Sequence, residues 1–226
     1  MELYLDSANL DEIRHVASLG IISGVTTNPS LLAKEDPTVD VRQRILEIYS
    51  LVGGHVSVEV VSTDADGMLR EAEEILSWFP EATIKIPMIP EGLKAVRRLS
   101  QQEVDTNVTL IFTPSQALAA NNAGATYVSV FVGRLDDVGS DGMAVVRDVR
   151  EIWDIQGLSS QILAASIRHP MHIIEAAKAG ADIATCPYKA LMQSLQHPLT
   201  DKGLSAFLAD HRKMQEEIAK AKGALV

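Results

Sequence analysis

The chain has 226 residues, of which 46% are hydrophobic but only 4% aromatic. That is enough apolar material for one large α/β domain or two small ones, with a core of Ile, Val, Leu and Ala. A net charge of −10 argues against nonspecific binding to nucleic acid or to an anionic membrane, and still allows a local basic site for a small anion.

Residues 1–6 lack the basic and apolar regions of a signal peptide, and no apolar run is long enough to cross a membrane. One cysteine, Cys186, excludes an intrachain disulfide framework, fits a reducing, cytoplasmic compartment and is expected to pack as a small buried residue. Residues 2–6 read as a first strand. Ser7-Ala8-Asn9 caps a helix that runs to residue 19, with Glu12 three residues after Asn9. Residues 21–28 hold a short strand that enters the polar loop Gly24-Val25-Thr26-Thr27-Asn28-Pro29-Ser30. The stripe Ile45, Ile48, Leu51 and Val52 marks the next helix. Residues 55–61 form a third strand and 64–78 its helix.

The fourth strand is Ala82-Thr83-Ile84-Lys85-Ile86-Pro87, with Ile84 and Ile86 on one face and Thr83 and Lys85 on the other. A helix over 92–101, a strand over 104–112, a helix over 114–123 and a strand over 126–133 follow. The pattern continues with a helix over 142–154, a strand over 161–166, a helix over 170–179, a strand over 182–186 and a helix over 188–195. The tail from about residue 210 is polar and charge-rich, and 214–221 reads as an exposed or partner-packing helix.

Strand and helix alternate eight times at a spacing of roughly 25 residues, as βα units do. A doubly wound open sheet is the alternative, but no Gly-rich dinucleotide loop follows the first strand. Eight units in so short a chain predict a compact (β/α)8 TIM barrel. It is expected to fill 1–226 as a single domain, with a helical extension over about 200–226.

In a barrel one strand face packs on helices and the other fills the interior. The apolar faces are Leu3/Leu5, Val58/Val60, Ile84/Ile86, Val108/Leu110, Val128/Val130/Val132 and Leu163/Ala165. The opposite face carries Asp6, Ser57, Glu59, Thr83, Lys85, Asn107, Thr109, Ser129 and Ser166, most of them toward C-terminal strand ends. Barrel active sites sit at those ends, and burying so many polar groups without a use is costly. A lysine taken out of water loses its preference for the ammonium form and becomes a nucleophilic amine, the requirement for Schiff-base chemistry on a carbonyl.

These residues resemble the transaldolase family, in its small single-barrel bacterial and archaeal branch, which also holds fructose-6-phosphate aldolases. The resemblance spans essentially the whole chain. It rests on Leu5-Asp6-Ser7-Ala8-Asn9, Gly24 to Ser30, Val58-Glu59-Val60, Lys85-Ile86-Pro87, Thr106-Asn107-Val108-Thr109-Leu110-Ile111-Phe112, Phe131-Val132-Gly133-Arg134-Leu135-Asp136-Asp137 and Ala164-Ala165-Ser166-Ile167-Arg168. Ser7 stands where threonine is more usual, and Val130 where proline is common.

The resemblance implies that Lys85 forms the Schiff base with the C2 ketone of a sugar phosphate. It implies that Glu59 is the general acid/base, acting through a water held by Thr109, with Asp6 as a second acid. It implies that Asn28, Asn107 and Ser129 meet sugar hydroxyls, that Phe131 lines the site, and that Arg134, Ser166 and Arg168 take the phosphate. It further implies no cofactor, sugar-phosphate substrates, and a homo-oligomer of the pentamer or decamer kind. In the family, aldolases that release free dihydroxyacetone carry glutamine and tyrosine where this chain has Glu59 and Phe131, so the pair favours a transaldolase of the pentose phosphate pathway. An aldolase, a sulfonated-sugar transaldolase and a sugar-phosphate-binding protein without chemistry are the alternatives.

Plainer structural roles stand beside these. Glu59 can also be read as an ion-pair partner of Lys85, Asp6 as a helix cap, Arg134 as a salt-bridge partner of Asp136 and Asp137, Asn28-Pro29-Ser30 as a turn, and Phe131 as core. His169 and His172 have metal-compatible spacing, but no further acidic or histidine cluster completes a site.

Overall fold

A computed structural model describes residues 1–35 and 38–223. Eight parallel strands close into a barrel in sequence order: β1 (Glu2–Asp6), β2 (Gly24–Thr26), β3 (His55–Glu59), β4 (Thr83–Pro87), β5 (Thr106–Ile111), β6 (Tyr127–Phe131), β7 (Gln161–Ala165) and β8 (Ile183–Cys186). Between and after them run α1 (Leu10–Ser18), α2 (Pro29–Leu32), α3 (Val41–Val52), α4 (Ala65–Trp78), α5 (Pro90–Ser100), α6 (Pro114–Ala123), α7 (Val132–Asp137), α8 (Gly142–Gln156), α9 (Pro170–Lys178), α10 (Tyr188–Ser194) and α11 (Pro198–Gly223). The fold is the (β/α)8 TIM barrel that the alternation predicts.

Local chemistry starts the helices. The Asn9 side chain accepts from the backbone N–H groups of Asp11 and Glu12, at 3.0 and 3.1 Å. The Glu12 carboxylate accepts instead from the Ser7 hydroxyl at 2.5 Å. Asp6 is therefore free of capping duty. Asp64, Thr113 and Asp141 cap α4, α6 and α8 in the same way. Ile84 and Ile86 are fully buried on the outer face of β4, beneath the helices. Truncating either to alanine is expected to cost about 2–5 kcal/mol through reduced burial and the cavity left behind.

The alternation of faces fails in two strands, and both failures matter. Leu163 and Ala165 of β7 pack with Tyr4 and Ile183 inside the barrel, against Tyr127 and Phe131, and so do not face the helices. On β5 the register slips between Val108 and Ile111, and Leu110 takes a left-handed backbone with φ 62°. Leu110 consequently turns into the barrel mouth instead of following Val108 outward. The sixth strand is shorter than expected, since residues 132–133 already belong to α7, a turn of helix that the apolar run Val128/Val130/Val132 conceals.

The described chain divides into two compact units, one over Met1–Leu191 and a second from Met192 onward. The second unit is dominated by α11, a helix of 26 residues that begins near the start expected for the helical extension and contains the stretch 214–221. Its Leu199, Leu204, Phe207, Leu208, Met214 and Ile218 are all exposed. Among the described residues no helix is long and apolar enough to cross a membrane.

Candidate functional site

The register of the parallel strands assembles the site. Glu59 of β3 lies level with Lys85 of β4, which lies level with Asn107 of β5, and Asp6 of β1 lies level with Thr26 of β2. Their side chains share the inward face, and the upper ones enclose a cavity of about 580 Å³ at the C-terminal end of the barrel. Asp6, Asn28, Glu59, Lys85, Thr109, Ser129, Phe131, Arg134, Ser166 and Arg168 all line it.

Lys85 sits at its base with only 6% of its surface exposed. Its Nζ donates to Glu59 Oε2 at 2.9 Å and to the Thr27 carbonyl at 3.0 Å. The ion-pair role of Glu59 and a proton-transfer role are thus compatible, because a carboxylate in contact with an amine can also exchange a proton with it. Asp6 accepts from the Thr26 hydroxyl at 2.9 Å, and Thr26 in turn contacts the Thr185 hydroxyl at 2.6 Å. Burial raises the Asp6 pKa above the usual carboxylate value, against the opposing effects of the Lys85 charge and the Thr26 hydrogen bond. Two carboxyl groups of different character therefore share the cavity, one paired with the amine and one biased toward its protonated form. The Thr109 hydroxyl is buried without a hydrogen-bond partner among the described residues, and an unsatisfied hydroxyl in a cavity wall is suited to a ligand atom or a water.

Asn107 differs from the other expected residues. It is fully buried and does not line the cavity, although it lies level with Lys85. Its Oδ1 accepts from the Ser129 hydroxyl at 2.7 Å, and its Nδ2 donates to Ser57 Oγ at 3.1 Å. Ser57 is 2.6 Å from His55 Nε2, so a polar chain runs from the barrel floor to the cavity wall. Asn28 is committed on its carbonyl side: Oδ1 caps α2 by accepting from the Leu31 N–H at 2.9 Å. The turn role expected of Asn28-Pro29-Ser30 coexists with its place in the wall.

The cationic rim is built by a close approach of backbone. Gly133 donates its N–H to the Ser166 carbonyl at 3.1 Å. A Cβ at position 133 would stand 2.2 Å from that carbonyl oxygen and 2.7 Å from Arg168 Nε, so only glycine lets Arg168 cross here. Ser166 itself adopts φ 58°, which swings it into the cavity although it continues the outward parity of Ala164. Arg134 lies over the Phe131 ring at 5.2 Å, so Phe131 is both a wall and a support. It is Arg168, not Arg134, that pairs with Asp137, at 2.8 Å. Two guanidiniums and a hydroxyl in the rim can hold a dianion.

Several residues of the wall escape the sequence patterns, Leu110 among them. Thr26 and Thr185 follow the inward parity of β2 and β8, a signal that those very short strands barely carry. Lys34 enters the wall from the loop after α2, and Ala165 follows from the inverted face of β7. His169 and His172 lie with ring centroids 3.8 Å apart and planes tilted by 48°, and among the described residues no group of three potential ligands for a metal forms.

Comparison with known proteins bears on this site. The family model described as Transaldolase/Fructose-6-phosphate aldolase matches residues 3–224. A probable transaldolase of Geobacillus thermodenitrificans is 55% identical over 215 residues, covering 95% of this chain and 100% of its own length. Those of Desulforudis audaxviator and Roseiflexus castenholzii are 57% and 56% identical over 216 residues, each spanning 96% of this chain and 100% and 99% of their own. Among solved structures, a thiamine phosphate pyrophosphorylase from Pyrococcus furiosus matches with a TM-score of 0.60 at 13% identity, over 85% of this chain and 93% of that one. At that identity the likeness concerns the fold alone.

Proposed function

The chain belongs to the transaldolase/fructose-6-phosphate aldolase family, and we propose that it moves a dihydroxyacetone unit from a ketose phosphate to an aldose phosphate through a Schiff base on Lys85. The observation that carries this reading is the buried amine of Lys85, held 2.9 Å from a carboxylate at the base of a cavity rimmed by two arginines. The Lys85 amine adds to the C2 ketone of fructose 6-phosphate or sedoheptulose 7-phosphate, and loss of water gives a protonated imine. Glu59, through a water on Thr109, takes the C4 hydroxyl proton. The C3–C4 bond breaks, its electrons pass to the imine nitrogen, and an aldose phosphate departs. The enamine left on Lys85 adds to an acceptor aldehyde, whose oxygen takes the proton back, and water then frees the ketose product. Asp6 holds sugar hydroxyls and assists these transfers, Asn28 and Ser129 contact hydroxyls, and Asn107 orients Ser129. Arg134, Ser166 and Arg168 take the phosphate.

Borohydride reduction with fructose 6-phosphate tests the mechanism: peptide mapping should place a dihydroxyacetone adduct on Lys85, and Lys85→Met should abolish turnover with the fold retained. An adduct on a different lysine, or none, refutes it. Glu59 and Phe131 favour transfer over release of free dihydroxyacetone, the aldolase reading. A sulfonated sugar is the nearer substrate alternative, against which Arg134 favours phosphate. We further take the enzyme to be a cytoplasmic homo-oligomer, in which the exposed apolar residues of α11 supply contact surface.

A further inference from the structure

Behind the cationic rim lies a histidine that the chemistry above does not use. His172 of α9 is buried, with 6% of its surface exposed. Its Nδ1 accepts from the backbone N–H of Arg168 at 3.3 Å. Its Nε2 stands 3.1 Å from Asp136 Oδ2. The other oxygen of Asp136 accepts from the Gly142 N–H at 3.0 Å, which fixes the carboxylate against the start of α8. The next residue, Asp137, takes the Arg168 guanidinium at 2.8 Å. Arg168 is thus gripped twice from α7: its side chain directly by Asp137, and its main chain through His172 by Asp136. Because α7 also carries Arg134, His172 closes a ring of interactions that joins the two segments bearing the guanidiniums.

The hydrogen bonds define the state of the ring. Nδ1 can accept from Arg168 only when it carries no proton, so the single imidazole proton sits on Nε2 and is donated to Asp136. Burial and the neighbouring His169 lower the pKa of His172 and keep it in this neutral form, against the pull of Asp136 and Glu175.

We propose that His172 is a positioning residue for the anion site: its imidazole bridges Asp136 to the backbone of Arg168 and holds Arg168 beside Arg134 for a phosphate-bearing substrate. The proposal rests on the reading of Arg134, Ser166 and Arg168 as that site.

The test compares His172→Ala, His172→Asn and His172→Gln with the wild type and with Arg168→Ala. Inorganic phosphate as a competitive inhibitor reads the anion site, and borohydride trapping of unphosphorylated dihydroxyacetone on Lys85 reads the rest of the machinery. His172→Ala should weaken phosphate inhibition about tenfold, the low end for a charge-assisted hydrogen bond, and leave trapping of dihydroxyacetone unchanged. An asparagine oxygen can replace Nδ1, whereas a glutamine end group replaces Nε2. His172→Asn should therefore recover most of the affinity and His172→Gln little of it, and this pair decides the matter even where the alanine variant fails to fold. Equal loss of phosphate inhibition and dihydroxyacetone trapping, or equal behaviour of Asn and Gln, reduces His172 to a structural role and overturns the proposal. If Arg168→Ala itself leaves phosphate inhibition intact, the error lies in the anion-site reading and not in the clamp.

Discussion

Acid should weaken this barrel through His55, and the effect can be worked out from its surroundings. The ring sits on the barrel floor between Tyr4 and Tyr127, each with its centroid 4.8 Å away, and meets Ser57 and Thr83 through its two nitrogens at 2.6 and 3.3 Å. Burial lowers its pKa from 6.5 to about 4. Between those values the unfolded chain binds a proton that the folded chain refuses, so stability is intact above about pH 6.5 and drains away as pH falls toward 4. At 1.36 kcal/mol per unit the full loss is about 3 kcal/mol, of which about 2 kcal/mol is gone by roughly pH 5. Asp6, whose pKa is raised, works in the opposite sense, so the contribution of His55 must be isolated by difference. His55→Gln keeps a polar group for Ser57 and removes the titration, at a pH-independent cost of about 0.5–1.5 kcal/mol for each of the two ring pairings with tyrosine. Urea unfolding at about pH 8 and about pH 5, followed by tryptophan fluorescence, should show the wild type losing about 2 kcal/mol more than the variant. Equal losses in the two proteins mean that the histidine titrates normally and that the floor is wet.

Two further outcomes bear on the rim and the assembly. Arg134→Ala should weaken phosphorylated substrates about ten- to hundredfold, the cost of one charge-assisted hydrogen bond, with fructose unaffected; an equal loss on both substrates makes Arg134 structural. Light scattering at low micromolar concentration should return a multimer, since Phe207 alone leaves 74% of its surface to water; a monomer mass refutes the assembly.

The barrel was legible because its eight strands alternate with helices in sequence and carry their polar residues on one face. Lys85, Glu59 and Asp6 could be placed together for the same reason: a period of two and a parallel register leave their side chains no other face. Reading failed where the backbone leaves that period. Leu110 reaches the cavity through a left-handed conformation, which no apolar pattern announces and the residue type does not favour, whereas Ser166 stands in the cavity as expected but arrives there through a left-handed backbone and not through the parity of its strand. The inward face of β7 misled because Leu163 and Ala165 are as apolar as an outward face, and the barrel interior opposite Tyr4 is itself apolar. The burial of Asn107 was hidden too, because parity tells which face a residue takes and not whether its neighbours cover it. Gly133 was the readable clue to the rim: a glycine directly before an arginine, just beyond a strand, marks a close backbone approach.

In the proposed mechanism the choice between transfer and release turns on Phe131, and its position makes the test a clean one. The ring lines the cavity at the end of β6, rests edge-on against Phe112 at 5.8 Å and lies beneath the Arg134 guanidinium at 5.2 Å. It brings no proton donor to the enamine proposed on Lys85, so that intermediate should persist until an acceptor aldehyde arrives. Phe131→Tyr adds one hydroxyl and keeps the ring face that supports Arg134, which leaves phosphate affinity nearly unchanged. The new hydroxyl can protonate the enamine or order a water for its hydrolysis, and so should raise free dihydroxyacetone formation at the expense of transfer. The assay follows glyceraldehyde 3-phosphate released from fructose 6-phosphate, with and without erythrose 4-phosphate. The wild type should depend strongly on the acceptor and the variant much less. If the wild type turns over at full speed without acceptor, Phe131 does not protect the enamine, and the enzyme is an aldolase.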